Sequence, residues 1–328
     1  KVGNDTEFTT AVTSANASIE DVIIKLVADI QVENKQITIN NTNGKNITID
    51  GANGDERYTL TLKEPDAHAV LVHQASGMVT MQNLRLMHEE DGSYMLMRIG
   101  EGDYKNPKNI TVKLQNMYIE SNTPYQWCLM ATQDTTTTNE KLGIDMEDVV
   151  VKWTGDFNQS GRAFMRCGDN SHQQTVDISM TGCSIDISET TGTQCFNVCS
   201  AVSGTIALAD TDIITPGTKM YTNTGSVTIN PDDDCTFIYK VDTVTEFTTA
   251  LTNANASLED VTIKLAANIE LTSAIEINNA KGKNITIDGA NGDGRHTLKI
   301  TTTKPTNSSN HSIRVHQKKG NITFQNMK

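Results

Sequence analysis

The twelve residues GKNITIDGANGD stand at positions 44–55 and again at 282–293 without one difference. The likeness runs outward on both sides. TEFTTA begins at Thr6 and at Thr245, VTSANASIEDVIIKL answers LTNANASLEDVTIKL, and GMVTMQN (77–83) answers GNITFQN (320–326). The offset between the copies is 239 residues at first, then 238, then 243 after small changes in loops. A chain of 328 residues therefore holds one full unit, residues 1–240, and the start of a second, residues 241–328. That is the pattern of a tandem array, in which each unit buries its apolar face against its neighbour. With Lys1 rather than Met at its start, the chain reads as a piece of something longer.

A finer period runs inside the large one. Short alternating apolar strands flank a pair of small or polar residues in ITIDGA, VTMQNLRL, VKLQNMYI, IDMEDVVV, ISMTGCSI and IALADTDI. The second linker residue is in turn Gly51, Asn83, Asn116, Asp148, Gly182 and Asp210, at steps of 32, 33, 32, 34 and 28 residues. Gly, Asn and Asp are the types that accept a left-handed backbone at least cost. A column of only those types predicts one bend per coil, with period-two strands on either side. That describes an all-β parallel solenoid with coils of about 28–34 residues. Proline cannot donate to a ladder, so Ile229-Asn230-Pro231 is where the stack is expected to end or change. Each large unit opens on a short helix, Glu7–Ala15 and Thr245–Ala254, the first capped by Asp5 or Thr6. The helix is expected to cover the open end of the first coil.

Composition narrows the partners. A net charge of −13 argues against nucleic acid and against an anionic membrane surface. No apolar run approaches the ~20 residues a membrane helix needs. With 5% aromatic residues the core must be aliphatic. The six cysteines, at 128, 167, 183, 195, 199 and 235, form no CxxC and no zinc spacing. Cys167 and Cys199 fall one rung apart if RAFMRC and QCFNVC are in register, and both are expected to be reduced and buried.

The TEFTTAV…DVIIKLVADI opening, NITIDGANG and the coils with Asn or Asp at a bend resemble right-handed parallel β-helix proteins of the pectin-lyase-like class. Among these the chain looks most like tandemly repeated, non-enzymatic cell-surface proteins and adhesins of bacteria and archaea. The resemblance implies an extracellular adhesin, stalk or fibre repeat, with neighbouring repeats of the same chain as its first partners. A glycan or a host or cell-surface protein on one face, and end-to-end self-association into a filament, are further partners it allows. Asn83 and Asn116 take the place of the asparagine ladder known in that class, while Asp148, Gly182 and Asp210 depart from it. A fold of this kind also hosts enzymes, so activity has to be argued from residues. A polysaccharide lyase on an acidic polymer is the alternative.

The chemistry such enzymes need is sparse. The hydrolase-type motifs NTD, GHG and RIK and the lyase-type RxPxxR are missing. One partial column remains: His73, Arg98 and Arg166 on successive strands, with Glu101 and Asp169 as acids in a shared Arg-x-Gly-acid pattern, and Met130 on the rung between. Such a basic track flanked by carboxylates suits an acidic sugar; it equally suits a ladder of surface ion pairs, each worth little. Asp232-Asp233-Asp234 offers oxygen ligands for Ca²⁺, although adjacent carboxylates point different ways and no EF-hand spacing follows. His88–Gly92 is a loop, Thr135–Thr138 a projecting one, and Trp127 and Trp153 belong to the core. Asn46, Asn109, Asn284 and Asn321 head Asn-x-Ser/Thr triplets. No catalytic residue, metal or cofactor is assigned.

Overall fold

A computed structural model of the chain describes residues 1–63, 68–74, 76–89, 95–100, 109–122, 128–132, 140–154, 162–190, 193–217, 220–301 and 311–328. These form two compact units, Lys1–Asp212 with Tyr221–Cys235, and Ile213–Met220 with Thr236–Lys328. Both are built of parallel strands in stacked sheets, and each holds one helix.

In the first unit the strands lie in three parallel ladders. The first runs through Ile47, Val79, Val112, Ile144, Ile178, Ile206 and Ile229 as direct partners. The second runs through Leu60, Leu86, Ile119, Val151 and Ile185. The third runs through Ile39, Val72, Ile99, Thr132, Cys167, Val198 and Asn223. Period-two alternation gives each strand one inward face. Ile47, Ile49, Val79, Met81, Val112, Leu114, Ile144 and Met146 are all fully buried. Each such side chain contributes roughly 1.5–3 kcal/mol, so stacked aliphatic columns fill a core that has few rings.

The first two ladders meet at the bend. Asn83, Asn116, Asp148 and Asp210 have φ of 52, 50, 53 and 46°, and Gly182 has 63°. This left-handed residue turns its own amide toward the next coil: Asn83 donates to Gln115 O and Gly182 to Ala209 O, each at 3.0 Å. Side chains add a second string, with Asn116 Nδ2 donating to Asn83 Oδ1 at 2.8 Å and Asn83 Nδ2 to Asp50 Oδ1 at 3.1 Å. Gly51 differs from the rest of its column, since its φ lies outside the left-handed region. Glycine is needed there for space: a Cβ would stand 2.5 Å from Leu84 Cβ and 2.8 Å from Asn83 O. As Pro231 leads one to expect, Ser226–Pro231 is the last strand of this ladder among the described residues. Ser226–Pro231 still pairs in register as far as Leu208↔Pro231, and the Asp210 amide donates instead to the Asp232 carboxylate at 3.3 Å. Asn83→Ala should lose both side-chain bonds and strain the backbone, lowering stability by about 2 kcal/mol. Asn83→Gly, which keeps the conformation, should recover about half, and urea midpoints measure both.

Six residues of the repeated dodecamer have structural tasks that are the same in both units. Gly44 and Gly282 turn the chain at φ of 67 and 75°. The Asn46 and Asn284 amides donate to Asp21 and Asp260 Oδ1, and their side-chain oxygens accept the amides of Met78 and Asn321 on the next coil. Their triplets are thus engaged in coil-to-coil bonding. Ile47, Ile49, Ile285 and Ile287 fill the core. Asp50 and Asp288 each take a side-chain amide, from Asn83 and Asn326, and a backbone amide, from Ala52 and Ala290. A tight antiparallel hairpin then turns at Gly54 or Gly292, with φ of 61 and 52°.

The helices span Asp5–Ala17 and Val244–Ala256, longer at both ends than the sequence pattern marks. The first cap is Asn4, one residue ahead of Asp5: its side chain accepts the Glu7 amide at 3.0 Å while Glu7 accepts the Gly3 amide at 2.7 Å. Thr243 and Glu246 repeat that reciprocal box. Phe8, Val12 and Ala15 face the core. The helix end is tied down by Asn41, fully buried, whose Nδ2 donates to Ala15 O and Ser18 O at 2.7 and 2.9 Å; Asn279 does the same to Ala254 O and Ser257 O. In the second unit Val261–Leu265 lies between Ile285–Asp288 and Thr236–Val241, all parallel.

Candidate functional site

The third ladder carries the two arginines of the basic track. Its outward column reads Thr38, Leu71, Arg98, Ala131, Arg166, Asn197 and Thr222. Arg98 and Arg166 are therefore in register, two rungs apart, which is about 10 Å at normal strand spacing. His73 is not in the column: Leu71 holds that place, and His73 follows the strand, its amide donating to Ile39 O at 3.0 Å. The intervening rung presents Ala131; Met130 belongs to the neighbouring column with Met97 and Met165. Glu101 lies outside the described residues, as do Trp127 and Thr135–Thr138.

Nor is the column an open charged strip. Arg98 is only 9% exposed, and its Nη1 lies 3.0 Å from His68 Nε2, itself 8% exposed. A guanidinium only donates, so that nitrogen accepts and the His68 ring is neutral. Burial, reinforced by the Arg98 charge, pulls the His68 pKa down to about 4. Proton uptake then favours the unfolded chain. Stability is whole above pH 6.5 and falls as the pH drops toward 4, by roughly 1–2 kcal/mol after screening. Urea midpoints at pH 7 and pH 4.5 should show that loss, and His68→Gln should diminish it.

Arg166 is half-buried and donates from Nε to Gly168 O at 3.2 Å. Asp169, 8% exposed, is occupied by its own turn: Oδ1 accepts the Ser171 and His172 amides and Oδ2 meets His172 Nδ1, each at 2.7 Å. Burial pushes this carboxyl upward, but the two amides and the imidazole outweigh it and hold it below the ordinary range. The track thus divides into two separately bonded centres, Arg98 with His68 and Asp169 with His172.

Around the arginines lie buried thiols. Burial pushes Cys128 and Cys167 up to about 12, and Cys195 well above its usual value. Such thiols stay protonated and inert at neutral pH. Cys167 pairs with Val198, one residue short of Cys199, whose amide donates to Cys167 O at 3.0 Å. All six cysteines are free, five of them buried. Titration of the unfolded protein without reductant should find six thiols; four would show a bond.

Two features carry no sequence signal that would bring them together. Arg162 is fully buried with its guanidinium 4.8 Å from the ring centre of Trp153, also fully buried. Glu140, fully buried, accepts from Gln174 Nε2 at 3.5 Å across one rung. Elsewhere the charges stabilise turns. Asp232 Oδ1 accepts from the Asp234 amide and Cys235 Sγ, His88 is buried, and Glu89 meets Lys63 at 3.4 Å. Among the described residues no three His, Cys, Asp or Glu side chains converge as a metal site. None of the described helices is long and apolar enough to cross a membrane.

Beside the Asp169 turn runs a groove of about 650 Å³ whose walls include Asn170, Gln173, Gln174, Ser200 and Ser203. Its lining carries hydroxyls and amides and no charge, so it can exchange hydrogen bonds with an uncharged polyhydroxylated molecule but supplies no general acid or base. Compared with protein-family models, with curated proteins and with solved structures, the chain gives no match in any of the three.

Proposed function

We propose that the chain is a right-handed parallel β-helix, a β-solenoid of the pectin-lyase-like kind, and that it serves as a non-catalytic repeat of an extracellular cell-surface adhesin or stalk. The observation that carries this reading is the dodecamer. Two copies keep the same twelve residues, and half of those residues turn the chain, fill the core or bond one rung to the next. Sameness that serves architecture fits a protein whose product is length and repeated presentation. The arginine column supports the same reading, because its arginines are bonded to the chain itself: Arg98 is held against His68, and Arg166 donates to Gly168 O. The uncharged groove beside that turn is the face on which a glycan would be sought.

The competing reading is a lyase on an acidic polysaccharide that uses Arg166. Product release from a panel of acidic and neutral polysaccharides, with and without Ca²⁺, decides between them. New reducing ends and unsaturated products are both read. No cutting is expected. Cutting that Arg166→Ala abolishes would overturn the scaffold reading.

A further inference from the structure

The chain passes from the third ladder to the first through turns that grow shorter on three successive rungs. The turn takes six residues after Cys167 (168–173), three after Val198 (199–201) and two after Asn223 (224–225). The longest of the three is held by its own side chains. Asp169 Oδ1 accepts the Ser171 and His172 amides, and its Oδ2 meets His172 Nδ1. Asn170 Oδ1 accepts both the amide and the hydroxyl of Ser200 on the next rung, at 3.0 and 3.1 Å. The turn 168–173 is thus a braced wall, and residues of all three rungs line the groove of about 650 Å³ beside it. That volume is within the range of small-ligand sites.

Of the ten described residues that line this groove, eight carry a hydroxyl or a side-chain amide and none is charged, in a chain of which 20% is charged. Each class of ligand meets that lining differently. An apolar ligand would leave the hydroxyls and amides unpaired, which costs free energy. A uronate or a sulfated sugar would bring its charge to a lining with no cation, on a chain of net charge −13. An uncharged sugar brings hydroxyls that both donate and accept, as the lining does. The groups also stand in a row. Thr175, Ser203 and Ser226 are direct partners on the three rungs. A hydroxyl therefore recurs at each rung, about 4.8 Å along the ladder. With its oxygen engaged by Ser200, Asn170 offers its Nδ2 hydrogens to the groove.

We propose that this groove binds an uncharged glycan chain laid across the rungs. The row of Thr175, Ser203 and Ser226 meets successive sugar units, and Asn170 and Gln173 hold the chain from the wall. A wall braced before the ligand arrives spares the cost of ordering it on binding. Neither arginine of the basic column lines the groove. The role of the groove rests on the scaffold reading, in which this face is presented and nothing is cut. Cutting of a polymer would overturn the scaffold reading; failure to bind, without cutting, would overturn the groove alone.

The test is titration calorimetry of the full chain with cellohexaose, xylohexaose, mannohexaose and maltohexaose, and with hexagalacturonate as the acidic counterpart. Saturable binding of a neutral hexasaccharide is expected, with hexagalacturonate weaker by about tenfold or more. Asn170→Asp keeps the acceptor for Ser200, so the wall should persist, but it removes the Nδ2 donor and adds a charge; affinity should fall about tenfold. Thr175→Val removes one hydroxyl of the row at an exposed strand position and should weaken binding about fivefold. Ser184→Ala, half-buried on the second ladder and outside the groove, should leave affinity unchanged. Circular dichroism checks the fold of each variant. No binding by any of the four neutral hexasaccharides, equal or tighter binding of hexagalacturonate, or unchanged affinity in a folded Asn170→Asp chain would each overturn the proposal.

Discussion

Replacing Trp153 with alanine should cost about 3–5 kcal/mol, which consumes much of the margin of an ordinary domain. Trp153 closes the strand Glu140–Trp153 and is fully buried. Its removal leaves a cavity between rungs that are hydrogen-bonded on both sides and have little freedom to collapse. It also takes away the ring that faces the Arg162 guanidinium at 4.8 Å. A buried cation deprived of its aromatic face adds to the loss. Trp153→Phe keeps a ring under the guanidinium and should cost about half as much. Urea unfolding of the two variants measures the difference, and an alanine variant within 1 kcal/mol of the parent, on the order of a surface change, would mean that the site is not a packed one.

An equally large effect is expected at Gly204, within the first ladder. Its φ is 121°, and a Cβ there would sit 1.9 Å from the carbonyl oxygen of Val176, its partner one coil below. Backbone on the neighbouring rung cannot move aside without breaking the ladder. Gly204→Ala should therefore destabilise by about 3–5 kcal/mol or leave the chain insoluble. Gly54 provides the contrast. It also has a positive φ, 61°, but nothing lies within 4 Å of the added carbon. Gly54→Ala should cost only about 1 kcal/mol, the conformational part alone. Comparing the two separates strain in the backbone from collision with a neighbour.

These contrasts show which parts of the structure the sequence makes legible. The bend and its two flanking strands are contiguous in the chain, so alternation around Asn83 or Asn116 reports their register directly. The bends sit one above another because side chain and amide both reach the next coil. Gly51 reads as one more bend residue because its neighbours are the same. Only the approach of Leu84 reveals that space, not conformation, requires glycine there. The third ladder is different. Its strands follow sequence intervals of unequal length, so nothing local fixes which residue of one rung faces which of the next. Local alternation alone therefore puts His73 and Met130 in a column whose members are Leu71 and Ala131. The arginines themselves are legible; the burial of Arg98 against His68 is not, because it depends on a contact between residues thirty apart. At the helix, Asn4, Asp5 and Thr6 are all good caps, and local chemistry does not choose among them. The Gly3 amide on Glu7 and the anchoring of the helix end by Asn41 settle the frame.

The stacking of one rung on the next underlies the scaffold reading and the role of the dodecamer alike. Disulfide trapping tests it most directly. Lys113 and Asp145 are direct partners on adjacent coils, half-exposed and joined by an ion pair at 3.6 Å. Partners at strand spacing, about 4.8 Å, lie within the range a disulfide spans. Under mild oxidation the double variant Lys113→Cys with Asp145→Cys should form that bond, located by mass mapping. Lys113→Cys with Lys141→Cys, two alternations back along the same strand and also exposed, should not. A bond in the second pair and none in the first would place the coils out of register and contradict the stacked arrangement.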